Sequence, residues 1–175
     1  MRIRELPAAC ELIDEVEIAC INGLAELGLH RSDAPQKIIH AIDVAILSAQ
    51  ASPEDQRTEE ETVRLISLFG ALWGEQLVRA LRWSWVTLVV SNDQAPATTP
   101  SGTGVQAVCS TNRSLVIYPF FTLDAALRQN IDTAIELAFN ILSDGKRVPN
   151  LPDGAFENVM EHVYHTPPRR TTSGR

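Results

Sequence analysis

The run Leu68–Val90, LFGALWGEQLVRALRWSWVTLVV, changes period partway along, and that change constrains the fold more than any other feature. Ile66, Phe69, Gly70, Trp73, Gly74, Leu77 and Leu81 recur at three- and four-residue steps, the spacing of one helix face. From Trp83 onward β-branched and aromatic residues dominate, as a strand prefers. A helix joined to a strand by a short connection must lock a helical layer onto a sheet. Gly70 and Gly74 lie four apart on the apolar face. Each costs about 1 kcal/mol against alanine inside a helix, so another backbone is expected to approach closely there.

Around this run the periodicity predicts a mainly helical α+β fold, four to five helices on a small three-stranded antiparallel sheet. Pro7 opens a helix reaching about Leu27, with Leu12, Val16, Ala19, Cys20, Leu24 and Leu27 inward and Gly28 just past its end. Pro35 opens a second, with Ile38, Ile39, Ile42, Ile46 and Ala49 as its buried stripe. Ser52-Pro53-Glu54-Asp55 reads as the cap of a third helix ending near Leu81, with a break near Thr58 as the alternative start. The strands are Trp83–Val90, Val105–Cys109 and Ser114–Tyr118, with a turn at 111–113 and a polar Pro/Gly-rich connection over 91–104. Pro119 stops the sheet, Thr122 caps a helix over Leu123–Leu142, and Ala155–Tyr164 forms a last short helix. Residues 1–165 are thus expected to make one domain, and 166–175 a disordered polar tail.

The formal net charge of −7 is unevenly spread. Residues 1–62 hold 13 acidic and 5 basic side chains, whereas residues 63–175 hold 9 and 10. Such an N-terminal field repels nucleic acid and membrane phosphates and attracts basic partners. No apolar leader core precedes the acids Glu11, Asp14, Glu15 and Glu17, and no run of about 18 apolar residues occurs, so a cytoplasmic protein is expected. Cys10, Cys20 and Cys109 form no CxxC and read as buried free thiols.

The chemistry-bearing patterns are sparse. His162 and His165 stand three apart, a spacing that can place two imidazoles on one metal, but no third ligand is evident and no metal is assigned. Ser101-Gly102-Thr103-Gly104 precedes a strand, whereas a phosphate cradle needs a helix N-terminus, so no cofactor is expected. Glu75 and Arg79, four apart, suit a helical ion pair. With Trp73 and Trp85 they mark a candidate pocket or interface. No nucleophile, base and orienting group come together in the pattern.

Leu68–Leu77 with Trp83-Ser84-Trp85-Val86, followed by Val116-Ile117-Tyr118-Pro119-Phe120-Phe121, resembles a family of small uncharacterised bacterial domains. In that family a glycine-rich helix ending in Gly-Glu precedes a Trp-Val strand, and a later strand ends in an aromatic-proline pair. The match covers roughly residues 65–122. Where the family often has an acidic-Gly turn and a Lys-Arg pair, this chain has Ser91-Asn92-Asp93 and Thr122-Leu123-Asp124. The resemblance implies a bacterial protein without established catalysis, similar to immunity proteins that neutralise a toxin. With the acidic N-terminal third, it leads to an expected non-catalytic binding protein that masks one basic partner. Glu11, Asp14, Glu15, Glu59, Glu60 and Glu61 would make the contact. The alternative is a small-ligand or enzymatic site between the sheet and the 91–104 loop. Self-association through Gly70 and Gly74 is a third possibility.

Overall fold

A computed structural model describes residues 2–51, 57–91, 104–129, 131, 134–145, 148 and 150–165. The period change is where the fold turns. Helix α3 spans Glu59–Leu81 and strand β2 spans Ser84–Ser91. Thr58 Oγ1 accepts from the Glu61 amide, and Glu59, Glu60 and Glu61 fill the first turn, where carboxylates suit the helix dipole. Of the two starts left open by the sequence, the break at Thr58 is therefore the observed one; the alternative cap at 52–55 lies outside the described residues. The helix ends on Arg82 in the left-handed region (φ 59°), its amide donating to the Val78 carbonyl.

Helix α3 is the hub of the molecule. It packs against α1 (Cys10–Glu26), α2 (Pro35–Ala51), α4 (Pro119–Gln129) and α5 (Ile135–Asp144), and against β2 and β3 (Val105–Cys109). Phe69, Leu72, Trp73 and Leu77 are at most 2% exposed. The expected stripe of α2 is buried at Ile38, Ile39, Ile42 and Ile46.

The sheet among the described residues has five strands rather than three, and it is mixed rather than purely antiparallel. Its order is β1-β2-β3-β4-β5, with β1 at Arg2–Pro7, β4 at Leu115–Ile117 and β5 at Glu157–Asn158. The first three pairings are antiparallel, whereas β4 and β5 run parallel, Leu115 opposite Glu157. Trp85, Val108, Leu115 and Ile117 face the helices; Val86, Leu88, Ala107, Cys109 and Val116 form a second apolar cluster on the other face.

Several expected boundaries move. Residues 2–7 are a strand, with Pro7 opposite Val86, so the first helix starts at Cys10. Arg-Ile-Arg-Glu-Leu alternates too weakly to announce a strand by itself, and the edge position is stabilised by pairing with β2. Pro119 does end the sheet, but it also occupies the first turn of α4, where its missing N–H costs nothing. The expected Leu123–Leu142 helix is divided into α4 and α5: Ala134 adopts φ 46° and Ile131, expected inside, is 40% exposed. The expected last helix is shortened to α6 (Val159–His165), preceded by β5. The glycine prediction changes in kind. A Cβ on Gly74 would lie 2.1 Å from Trp85 Cζ2, and one on Gly70 would lie 2.6 Å from Phe120 Cδ1. The approaching groups are mainly two stacked aromatic rings, 5.6 Å apart at 28°, rather than a second backbone. Both glycines are buried inside the chain and present no surface to a second copy. Backbone approach occurs instead at Gly23 of α1, where a Cβ would stand 3.2 Å from the Leu68 carbonyl oxygen.

Candidate functional site

Gly23 lets α1 settle closely on α3, and the ion pairs along the contact show that the helices run antiparallel. Glu26 receives a two-pronged bond from Arg64 (2.8 and 3.1 Å) near the start of α3, whereas Glu17 and Arg31 lie beside Glu75 farther along. One flank of this pair opens into a groove of about 720 Å³, lined also by residues 28–31 and by Trp85. Its walls are apolar: Ile13, Val16, Cys20, Ile21 and Leu24 from α1, Leu72 from α3, and Leu29. Glu17, His30, Arg31, Glu75, Gln76 and Arg79 supply the polar groups. The volume lies in the range of built binding sites, and the mixture of apolar wall and few polar groups is what such sites use.

The polar groups are unequally satisfied. Arg79 donates from Nη1 to Gln76 Oε1 (2.9 Å) and from Nη2 to the Asp33 carbonyl (3.3 Å). The expected Glu75–Arg79 ion pair is therefore replaced by these bonds, and the nearest cation to Glu75 is Arg31, at 4.0 Å. Arg31 is itself directed to Glu17 at 3.3 Å. The buried Gln76 amide donates to the Leu72 carbonyl (3.2 Å). Among the described residues Glu75 receives no hydrogen bond, and its side chain keeps 24% of its surface. Burial pushes its carboxyl above the ordinary range, with Arg31 and Arg79 pulling the other way.

Of the residues singled out in the sequence, Glu75, Arg79 and Trp85 converge on this groove; Trp73 does not. Trp73 is fully buried in the core, and its indole N–H, like that of Trp85, finds no acceptor among the described residues. The six acidic candidates do not form one patch. Glu11, Asp14 and Glu15 lie at one end of the antiparallel pair and Glu59, Glu60 and Glu61 at the other, roughly 20–30 Å away by helical rise. Glu59 is also bound by Arg128 at 2.6 and 2.7 Å, which holds its carboxyl below the usual range.

The thiols are unlike one another. Cys10, expected to be buried, is exposed at the start of α1, whereas Cys20 and Cys109 are buried. Burial pushes both buried thiols up to about 12, so neither is a thiolate at neutral pH. His162 Nε2 lies 3.7 Å from Glu157 Oε1, and the His165 side chain is outside the described residues. No group of three or more His, Cys, Asp and Glu side chains converges among the described residues. The same region contains no helix long and apolar enough to cross a membrane. The 91–104 connection, where the alternative site was expected, lies outside the described residues except at its two ends.

What the sequence reading missed is the outer wall of the groove. Ile13, Ile18 and Ile21 are 49%, 60% and 58% exposed, off the inward stripe of α1. The signal was present: apolar residues cover too wide an arc of α1 for a helix buried on one side only. These features define an α+β chain with an open amphipathic groove between two antiparallel helices. No family model, curated protein or solved structure matches it.

Proposed function

We propose that the protein is a non-catalytic binding protein that masks one basic protein partner, as an immunity protein masks a toxin, and that α1 with its groove is the contact surface. The observation that carries this reading is the composition of α1. Over Cys10–Glu26 it has five carboxylates, no basic residue and three exposed isoleucines. Acidic side chains around exposed apolar ones suit a basic partner: the charges steer association and the isoleucines supply buried area. The acids at the start of α3 serve first as helix-end charges, with Glu59 tied to Arg128, so they take a secondary part.

The experiment is affinity capture by the tagged protein from an extract of its source organism, repeated with Glu11, Asp14 and Glu15 all changed to Lys. One basic protein retained at equal stoichiometry and lost with the triple variant supports the reading. Its association rate should also fall steeply with salt. Retention that survives the triple variant, or a rate indifferent to salt, overturns it.

A further inference from the structure

We infer that the α1–α3 groove is the binding site of an uncharged, mainly apolar small molecule. Its body lies on Ile13, Ile21, Leu24 and Leu29, and one hydroxyl or carbonyl oxygen accepts a hydrogen bond from Arg31 or Arg79. The inference rests on the lining of the groove and goes beyond the masking of a partner. At about 720 Å³ the groove lies in the size range that holds a drug-sized molecule. Part of its apolar wall is open to solvent, since Ile13 and Ile21 keep 49% and 58% of their surface. An apolar ligand body takes that surface out of water, which is the driving force for binding a molecule of this class.

The neutrality follows from the charged lining, which is balanced. Two carboxylates, Glu17 and Glu75, are matched by two guanidiniums, Arg31 and Arg79, with His30 also in the lining. Arg31 reaches both helices, its Nη1 3.3 Å from Glu17 of α1 and its Nη2 4.0 Å from Glu75 of α3. An anion seated on Arg31 would compete with both carboxylates. A cation seated on Glu75 would stand beside Arg31, with Arg79 also acting on that carboxyl. Either ion would also lose its own hydration on entering. The groups already there show this cost. Burial is the largest cause of the raised Glu75 carboxyl and of the Cys20 thiol at about 12, both moved toward their uncharged forms. A neutral oxygen avoids the conflict. Arg31 and Arg79 have N–H donors beyond those directed to Glu17, Gln76 and the Asp33 carbonyl, and an uncharged acceptor takes one without breaking a pair.

The test uses the whole chain and phenylnaphthylamine, an uncharged dye that brightens in apolar sites, displaced by octanol, octanoate or octylammonium. The three competitors share one alkyl chain and differ in charge. Octanol should displace the dye at concentrations at least about tenfold below either charged analogue. Ile21→Asp sets a charge in the groove wall and should weaken octanol about tenfold or more. Ile18→Asp makes the same change at a similarly exposed isoleucine of α1 outside the groove lining, and should leave octanol unaffected. Arg31→Gln tests the balance itself: with Glu17 and Glu75 less compensated, octylammonium should gain several-fold while octanol holds. No displacement by octanol, a charged analogue as potent as octanol, or equal effects of Ile21→Asp and Ile18→Asp overturns the inference. So does an Arg31→Gln protein in which octylammonium gains nothing. The reading of α1 as a partner surface is tested apart from this, since the Glu11, Asp14 and Glu15 variant changes no residue of the groove lining.

Discussion

At the scale of single residues, adjacent positions on α3 set opposite constraints. Gly74 is small because Trp85 occupies the space a side chain would need, with ring carbons at 2.1 and 2.5 Å from an added Cβ. Gly74→Ala gains about 1 kcal/mol of helix propensity but must expel the indole from its stack on Phe120. Overpacking of this kind costs typically 1–3 kcal/mol and more where a rigid ring must move, so a net loss of about 2 kcal/mol is expected in urea unfolding, with a red shift of tryptophan emission. Glu75, next in sequence, is held above its ordinary value near 4.5 by burial. A carboxyl whose folded-state affinity for the proton is raised penalises the native state once it ionises, above that raised value. The penalty fades as pH falls toward 4.5. Glu75→Gln is therefore expected to raise Tm at pH 7 and to lose that advantage near pH 4. An unchanged or lowered Tm at pH 7 would show that Arg31 and Arg79 outweigh burial. A stabilising loss of a charge also fits a side chain kept for binding rather than for folding.

At the scale of elements, helix ends show what local sequence decides and what it leaves to packing. The start of α3 at Thr58 was open in the sequence, since a proline-led cap upstream competed with it; the hydroxyl bond to Glu61 marks the observed start. The end at Arg82 was harder to read, because a left-handed cap is usually marked by glycine and here arginine takes it at φ 59°. Left-handed backbone costs a non-glycine residue about 1 kcal/mol, so Arg82→Gly should raise the unfolding free energy by roughly that amount. The Thr111 hydroxyl, which donates to the Arg82 carbonyl, keeps its acceptor in the variant. The division between α4 and α5 was hidden for the converse reason. Leu127, Ile135, Ala138, Phe139 and Leu142 keep helical spacing across the break, and all five are buried, so the pattern reads as one helix although the chain turns at Ala134. Gln50 holds this corner by donating to the carbonyls of Ala126 and Ile131, contacts 76 and 81 residues away that no local pattern contains. The groove was half readable. Glu75, Arg79 and Trp85 stood out near the period change, but the wall opposite them comes from α1, and only the tertiary contact at Gly23 brings it there.

At the scale of the whole molecule, the fold is closed by a contact between its first strand and the turn between β3 and β4. Strand β1 is an edge, hydrogen-bonded to β2 alone, and it leads directly into α1. Arg113 grips Glu5 in β1 through two bonds, Nε to Oε2 at 2.6 Å and Nη2 to Oε1 at 2.8 Å, across 108 positions of sequence. Both side chains retain less than a third of their surface, so solvent screens the pair only in part. The grip has a backbone cost, because Arg113 sits at φ 60° in the turn. Two substitutions separate the terms. Arg113→Ala loses the ionic bonds while keeping the unfavourable backbone, and should cost about 2 kcal/mol. Arg113→Gly loses the same bonds but relieves the left-handed strain, and should cost about 1 kcal/mol less. Amide exchange gives the location: the β1 amides that donate to β2 should exchange faster in both variants, while protection in α3 falls only by the global loss. If the strand stays as protected as α3, pairing with β2 alone holds it. If it loosens as expected, the position of α1, and with it the outer wall of the groove, depends on an ion pair on the far side of the sheet. Arg113→Ala should then also weaken capture of the basic partner, although the residue lies outside the groove.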